Sequence, residues 1–394
     1  MSDDWPQGWY RGEAAGAPPR GPRSSYQGQG SEWRPSGGGG GWPDQPPSRG
    51  GRPSYPDGPG GYPGGPGGER TWRFWGQPGR RGRRVLTYLV TLVVILAVVV
   101  VGSYFWLNGK LNRSVALPAT TNVSSGTNWL ITGADSRQGL SRTQIDQMHV
   151  GFDMGTLNSD SVMLLHMGSG KPILISIPRD SYVEIPGYGH NKLNAALGFG
   201  GPALLIKTVE NVTGLQINHY MGIGFGGLVS VVNSVGGVQM CLPSAVNDSY
   251  SGVNLKAGCQ NLNGDQALSF VRDRHSFTTG DLQRIQDQRA FLKALLNKGL
   301  SPGVYLNPFT ALPFASTAAS SMSVDKGTSL LDLLQAAMAL QNPESGTVPI
   351  SNPAYFTSAG EAVEWNQSEA LQLFNALQKD QPVPAALLKG TQVG

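Results

Sequence analysis

One uncharged run of 23 residues constrains this chain more than any other feature of its sequence. Residues 85–107, VLTYLVTLVVILAVVVVGSYFWL, contain no charged side chain, and a helix of this length rises about 34 Å. The hydrocarbon core of a bilayer is about 30 Å thick. The run therefore predicts a transmembrane helix. A buried core helix of this length is rare, and a cleaved signal peptide would lie nearer the amino terminus.

Basic residues beside this run indicate its orientation. Four arginines lie within residues 80–84, directly before the run, whereas only Lys110 and Arg113 follow it closely. Because positively charged flanks tend to stay in the cytoplasm, we expect the amino-terminal tail inside the cell and the carboxyl-terminal part outside. The sequence thus predicts a single-pass protein of the cell membrane with an extracytoplasmic domain.

Composition divides the rest of the chain. Residues 1–79 are rich in Gly, Pro, Ser, Gln and Arg and contain few aliphatic side chains. Such a segment buries too little apolar surface to offset its conformational entropy, so we predict a disordered cytoplasmic tail. Residues 80–84 form a basic juxtamembrane segment, 108–126 a polar linker, and 127–394 the extracytoplasmic domain.

The sequence pI of about 9.0 does not indicate a nucleic-acid-binding domain. Residues 1–107 carry 12 Lys and Arg against 7 Asp and Glu, whereas residues 108–394 carry 18 against 19. A domain that binds nucleic acid would normally carry the basic surface itself. We therefore expect no nucleic-acid partner.

Two cysteines, Cys241 and Cys259, flank a polar loop in the outer domain. In an oxidising compartment a disulfide between them is favoured, with a stabilisation of about 3 kcal/mol in the chain-entropy model. The alternatives are two buried thiols or a metal site, and no C-x-x-C or His-Cys spacing supports the latter.

Short apolar runs alternate with helical patterns in the outer domain, which predicts a mixed α/β fold. SVMLLHM and PILISIP are separated by GSGK, a hairpin signal. Because antiparallel pairing brings the outer ends of a hairpin together, Asp160 before the first strand and Arg179 after the second should lie at the same end. This end is a candidate site.

An ionic stretch follows at residues 269–288, SFVRDRHSFTTGDLQRIQDQ. Its first part alternates as a strand would, which predicts Arg272 and Arg274 on one face. Its second part has helical spacing, with Asp281, Arg284 and Gln288 on one flank. Asp281 would also serve as a helix N-cap.

Several catalytic chemistries lack their motifs. The sequence contains no G-x-S-x-G, H-E-x-x-H or Walker A motif. The carboxylates and arginines that remain fit metal-assisted handling of a phosphorylated substrate.

Six motifs in order resemble those of the LytR-CpsA-Psr family of cell-wall glycopolymer transferases, of actinobacterial type. They are NWLITGADSR, NSDSVMLLH, ISIPRDS, HNKLNAALGFGG, TGLQINHYMGIGFGGLVSVVNSVGGV and LNGDQALSFVRDR with GDLQRIQDQ, and they cover residues 127–300. The resemblance implies a central mixed β-sheet flanked by helices, with an apolar channel for a prenyl chain. It also implies Mg²⁺-dependent transfer of a glycosyl phosphate from a polyprenyl diphosphate to peptidoglycan.

The resemblance assigns roles to particular residues. Asp135 and Asp160 match the positions associated with Mg²⁺. The positions that match catalytic or diphosphate-binding residues are Arg137, Arg179, Lys192, Asn194, Arg272, Arg274, Asp281, Arg284 and Gln288. For Asp135 and Asp160 the alternative is a role in a turn, and for Arg179 it is a surface ion pair.

One position departs from the family pattern. Many members have an arginine two residues before the second aspartate, where this chain has Asn158. An amide supplies no positive charge, so one phosphate contact is weakened or replaced. A relative that binds or hydrolyses prenyl-linked glycans is therefore the alternative function, and a transcriptional attenuator is a remote one.

Overall fold

The computed structural model describes residues 80–134, 159–273 and 281–388. Its first helix, α1 (Arg80–Asn108), contains the predicted membrane span. In the part of the chain that is described, α1 alone is long and apolar enough to cross a bilayer. The predicted tail, residues 1–79, lies outside the described residues.

Nine further helices and fifteen strands follow in these described segments. The helices are α2 (Ala195–Thr213), α3 (Phe225–Ser234), α4 (Gly264–Arg272), α5 (Asp281–Gly299), α6 (Pro302–Tyr305), α7 (Pro308–Ser321), α8 (Leu330–Ala339), α9 (Gln367–Gln378) and α10 (Ala385–Leu388). The strands are β1 (Asn112–Val115), β2 (Thr127–Ala134), β3 (Ser159–Met167), β4 (Ile173–Ile177), β5 (Tyr182–Ile185), β6 (Gly189–Lys192), β7 (His219–Gly224), β8 (Val238–Leu242), β9 (Val246–Asp248), β10 (Val253–Leu255), β11 (Gly258–Leu262), β12 (Met322–Asp325), β13 (Glu344–Thr347), β14 (Ile350–Thr357) and β15 (Gly360–Trp365).

Seven strands form the central sheet, in the order β1-β12-β7-β2-β3-β4-β13. Strand pairs β1–β12, β7–β2 and β4–β13 are parallel, and the other three pairs are antiparallel. This mixed sheet, flanked by helices, confirms the predicted fold class.

Both faces of the sheet are buried, and β2 shows how its sequence achieves this. Leu130 packs into one core with side chains of α2 and α9, including Leu205 and Leu373. Its neighbours Trp129 and Ile131 pack into the opposite core with residues of α8. Successive side chains of a strand point to opposite faces, so a nearly continuous apolar run is required here.

A third core lies beside the sheet, where α3, α4 and α5 pack against the strand pairs β8–β11 and β9–β10. Cys241 and Cys259 are direct partners across the β8–β11 pair, and a disulfide joins them. The predicted pairing of the two cysteines is therefore present in the structure.

The β3–β4 hairpin is as predicted. Val162 pairs with Ile177 and His166 with Ile173 in one antiparallel register. Asp160 lies near the start of β3 and Arg179 follows β4 by two residues. The backbone thus brings both positions to the same end of the sheet.

The prediction that SFVRDR (269–274) is extended is wrong for its described residues, because 269–272 belong to α4 and Asp273 is the C-cap. Asn263 caps α4 through the backbone N–H of Gln266, and the Gln266 side chain bonds back to the Asn263 N–H. The capping box stabilises the start of the helix, and this stabilisation outweighs the preference of four alternating residues for a strand. Arg272 consequently lies in the last turn of a helix, not on a strand face.

Two other differences concern local boundaries. The predicted linker, 108–126, contains β1, which is an edge strand of the central sheet. A Gly-Gly-Pro sequence is expected to open a helix, whereas α2 begins earlier, at Ala195, and is interrupted at Gly200 and Gly201. Gly201 has a φ of 66°, which glycine adopts without strain.

Arg289 connects α5 to the ends of two strands of the sheet. Its Nε donates to Ser176 Oγ on β4 at 3.0 Å. Its Nη2 donates to Thr347 Oγ1 at 2.9 Å and also to the Gly346 carbonyl of β13. Burial lowers the pKa of the Arg289 guanidinium to about 10. The group remains charged at neutral pH and fixes the position of α5.

Replacing Arg289 with alanine should destabilise the fold by about 2–4 kcal/mol, because three hydrogen bonds are lost and their acceptors stay partly buried. Chemical unfolding of the detergent-solubilised chain measures this change. Lys293→Ala, an exposed change on the same helix, is the control and should alter stability little. Equal stability of the two variants would contradict the structural role of Arg289.

Candidate active site at one end of the sheet

Several strand ends meet at the edge of the sheet where the candidate residues lie. Ala134, the last residue of β2, pairs with Ser159 on one side and Gly224 on the other. The register shifts between Gly133 and Ala134. Such an irregularity redirects the chain at the end of a strand. In sequence, Asp135 follows Ala134 and Asp160 follows Ser159.

A cleft at this end contains two of the predicted arginines. It is bounded by the start of β3, the end of β4 and one flank of α5. Arg179 and Arg284 both line it, together with Gln288. Arg284 is only 3% exposed. The structure thus brings together cations that are far apart in the sequence.

Arg179 belongs to a small polar network beyond β4. Its Nε donates to Asp180 Oδ2 at 3.1 Å, and Asp180 Oδ1 lies 3.4 Å from Lys192 Nζ. The Asn194 backbone N–H donates to the Arg179 carbonyl at 2.9 Å. One carboxylate therefore holds two cations side by side, and Asn194 fixes the backbone beneath them.

Arg272 approaches the same end of the sheet from α4. Its guanidinium lies 5.3 Å from the centre of the Phe225 ring, and Phe225 directly follows the last residue of β7. Gln288 donates from Nε2 to the Val271 carbonyl at 3.1 Å. This bond joins α5 to the last turn of α4, so the elements carrying Arg272 and Arg284 are held together.

The remaining predicted residues cannot be placed with their side chains. Asp135, Arg137, Asn158 and Arg274 lie outside the described residues. For Asp160 and Asp281 the structure gives the backbone only. The described residues contain no group of three His, Cys, Asp or Glu that could hold a metal ion. The predicted Mg²⁺ site, Asp135 with Asp160, stays a prediction.

Sequence reasoning missed two serines of the cleft. Ser161 and Ser176 line it from β3 and β4, and Ser176 accepts the hydrogen bond from Arg289. The available signal was a hydroxyl inside the apolar run ILISI, because a polar side chain buried among aliphatic residues needs a partner.

His166 lies at the opposite end of the hairpin and takes no part in the cleft. It is buried, with Nδ1 2.7 Å from Asn128 Oδ1 and Nε2 3.4 Å from Asp380 Oδ1. Burial lowers the pKa of the imidazole, an effect that Asp380 partly opposes. His166 is therefore a core histidine with hydrogen-bond partners.

Comparison with known proteins decides the family. The sequence profile of the LytR_cpsA_psr family matches residues 108–379. The chain belongs to this family. The motifs in the sequence had indicated this LytR-CpsA-Psr family. The match begins at the end of α1 and includes the whole central sheet.

Curated relatives support a general function in cell-wall biosynthesis. The probable cell wall biosynthesis protein LcpB of Corynebacterium glutamicum is 44% identical over 71% of this chain and 68% of its own length. The cell wall biosynthesis protein LcpA of the same organism is 31% identical over 67% of this chain and 58% of its own length. A polyisoprenyl-teichoic acid–peptidoglycan teichoic acid transferase, TagU of Enterococcus faecalis, is 37% identical, but over only 38% of this chain and 49% of its own length.

Solved structures agree on the fold. The LytR-Csp2A-Psr enzyme from Actinomyces oris superimposes with a TM-score of 0.54 at 22% identity, covering 68% of this chain and 96% of that one. A structure described as TagT bound to LI-WTA gives a TM-score of 0.51 at 24% identity, covering 68% of this chain and all of the other. Because these sequence identities are low, the structural similarity shows a shared fold and carries no information about function.

The environment of His166 predicts a pH dependence of stability. An unfolded histidine takes up a proton as the pH falls through about 6.5, whereas burial keeps His166 neutral to lower pH. The unfolded state then binds more protons, so stability should fall between pH 7 and pH 5. Thermal unfolding of the wild type and His166→Gln at both pH values measures this loss. An equal loss in the two proteins would contradict the assignment to His166.

Proposed function

We propose that this LytR-CpsA-Psr protein transfers a glycopolymer from a polyprenyl-diphosphate carrier to a hydroxyl group of peptidoglycan. The observation that carries the proposal is the convergence of Arg179 and Arg284 on one cleft, with Arg272 held at the same end of the sheet. Planar guanidinium groups match the paired oxygens of a diphosphate, which a single ammonium cannot do.

The reaction requires no covalent protein intermediate. The acceptor hydroxyl attacks the phosphorus that bears the sugar and forms a phosphodiester. The bond from this phosphorus to the bridging oxygen breaks, and polyprenyl phosphate leaves with the bond electrons. The proton of the acceptor hydroxyl passes to water. Positioning and stabilisation of charge supply most of the catalysis in phosphoryl transfer, and arginines together with a carboxylate-bound cation can supply both.

Each described residue at this end of the sheet would have its own role in the reaction. Arg284 is buried, and it would hold the diphosphate in the cleft. Arg179, aligned by Asp180, would stabilise the charge that develops on the departing phosphate. Lys192 shares the same carboxylate and would add positive potential at the rim. Arg272 would approach from α4, with its orientation set by the Phe225 ring.

A divalent cation fits the donor chemistry of this edge. The paired residues Ala134 and Ser159 precede Asp135 and Asp160 in sequence, and carboxylate oxygens are the ligands that Mg²⁺ prefers. When bound, Mg²⁺ would neutralise negative charge on the diphosphate. We propose Asp135 and Asp160 as its ligands.

Relatives supply the substrate class for this proposal. The name of TagU specifies transfer of teichoic acid from a polyisoprenyl carrier to peptidoglycan, and a structure of TagT is described with LI-WTA bound. We infer the same general chemistry for this chain: a lipid-linked polymer as donor, peptidoglycan as acceptor, and the bilayer in which α1 anchors the protein as the location.

Replacing Arg179, Arg272 or Arg274 with alanine should lower transfer at least about 100-fold, the effect typical of removing a donor that stabilises a developing anion. The full chain in detergent is incubated with a prenyl-diphosphate glycan, peptidoglycan and Mg²⁺, and the linked product is measured. Lys207→Ala, an exposed change on α2, is the matched control and should retain full activity.

Three outcomes separate the proposal from its alternatives. A linked product supports the transferase. Binding of the lipid without any product would indicate a binding protein. Release of prenyl phosphate without a linked product would indicate a hydrolase, for which the loss of positive charge at Asn158 supplies a physical reason. Wild-type rates in all three arginine variants would exclude a role of these residues in catalysis.

Removal of divalent cations should stop the reaction. Excess EDTA should abolish transfer, and added Mg²⁺ should restore it, because the diphosphate charge is otherwise only partly neutralised. Asp135→Asn and Asp160→Asn should each raise the Mg²⁺ concentration that gives half-maximal activity. Full activity of the wild type in EDTA would contradict the proposed cation requirement.

A further inference from the structure

Large hydrophobic residues are exposed on two helical segments next to the membrane anchor. The α6–α7 segment exposes Phe309 (88%) and Leu306 (72%), and α8 exposes Leu331 (53%) and Met338 (52%). The full set, which we call the apolar shelf, is Tyr305, Leu306, Phe309, Leu312, Leu331, Leu334 and Met338. The shelf contributes more than half of the large hydrophobic residues that are exposed beyond residue 108 in the described part of the chain.

The sequence around the first half of the shelf lacks charge. Residues 299–324, GLSPGVYLNPFTALPFASTAASSMSV, contain no Asp, Glu, Lys or Arg in 26 positions. Elsewhere in the outer domain a charged residue occurs about once in every seven positions. A helical hairpin that faces water normally has a charged outer face. An exposed segment with apolar and uncharged side chains is typical of a surface that contacts protein or lipid.

The second half of the shelf is a stripe on one face of α8. Leu331, Leu334 and Met338 follow one another at intervals of three and four residues, which places them on the same side of a helix. The opposite side of α8 carries Ala336, which is buried against the sheet. The helix is therefore apolar both toward the core and away from it.

The helices that carry the shelf contact the membrane anchor. The end of α1 contacts both α7 and α8. Leu107 is buried at this contact, and Leu111 packs with Ala319 of α7 and Val324 of β12. The helices that carry the shelf therefore pack directly on the last turn of α1.

Hydrogen bonds fix this junction. Asn108 Oδ1 accepts from the Leu330 N–H, the first residue of α8, at 3.0 Å. It also accepts from Arg113 Nη2 at 2.8 Å, and Arg113 Nε donates to the Thr328 carbonyl at 2.8 Å. Because the anchor is bonded to the start of α8, the domain cannot rise far from the membrane on a loose tether.

The position of this junction in the bilayer indicates what contacts the apolar shelf. The apolar run 85–107 matches the thickness of a hydrocarbon core of about 30 Å, and Tyr104, Phe105 and Trp106 stand at its end, where aromatic residues favour the interface. Helices packed on this turn lie at the level of the lipid headgroups. We propose that the apolar shelf rests in the outer lipid interface and orients the domain on the bilayer. This inference depends on α1 crossing the membrane and is independent of the proposed transferase activity.

The test measures the depth of single positions in lipid. The full chain is reconstituted in nanodiscs of phosphatidylcholine and phosphatidylglycerol, with the native cysteines left in their disulfide. A cysteine is introduced as Phe309→Cys or Leu334→Cys and labelled with an environment-sensitive fluorophore. Phe356→Cys is the matched control, because Phe356 is 80% exposed but lies on the β14–β15 hairpin. Nitroxide-labelled lipids then quench any probe within the interface.

We expect strong quenching at positions 309 and 334 and little at 356. An interfacial helix sits about 5–10 Å into the headgroup region, so the first two probes should lose more than about half of their fluorescence. Equal quenching at all three positions would overturn the proposal. If the fluorescence at position 309 shifts to the blue only with two copies per disc, and nitroxide lipid does not quench it, a second chain covers the shelf. This result would also overturn the proposal.

A second variant separates docking from folding. Leu306→Asp with Phe309→Asp changes two exposed side chains, so thermal unfolding of the protein should be unchanged. Quenching at position 334 should fall by about half or more, because charged side chains resist entry into the interface. Undiminished quenching in this variant would show that the α6–α7 segment does not hold the domain on the lipid.

Discussion

The guanidinium of Arg289 joins α5 to the ends of β4 and β13, and the geometry of the candidate site depends on this connection. Arg284 and Gln288 precede Arg289 on the same helix, so their distance from Arg179 is set by where α5 rests on the sheet. A hydrophobic contact alone would allow α5 to slide along its axis. Directed hydrogen bonds from a planar donor to three acceptors restrict both its position and its rotation.

This dependence explains why the site lies where strands end. Backbone groups at strand ends are not fully used by the sheet, and loops there can present side chains that a rigid scaffold holds in place. The β-bulge at Ala134, the turn at Pro178 and the end of β7 at Gly224 all open toward one region. Chain segments that are distant in sequence therefore contribute to a single cleft.

Much of this arrangement could be predicted from the sequence, and the exceptions have physical causes. The β3–β4 hairpin was predictable because its signal is local: two apolar runs and a glycine-rich turn. The convergence of Arg179 with Arg284 was anticipated only through the family resemblance, because no local pattern reports a contact between residues so far apart.

The helix α4 was missed since its apolar residues also fit a short alternating pattern, and the capping box at Asn263 was the overlooked signal. The role of Arg289 could not be predicted from the sequence, because its acceptors, a serine of β4 and the end of β13, lie in other parts of the chain.

The junction at Asn108 has a mechanical consequence. A pull along α1 passes first into Asn108 and Arg113, whose side chains join the end of this helix to the domain. From there it enters β1, an edge strand with a single neighbour, and the start of α8. The load is divided between a strand and a helix before it reaches β2 and β3 at the centre of the sheet. The outer edge of the domain would thus yield before the cleft deforms.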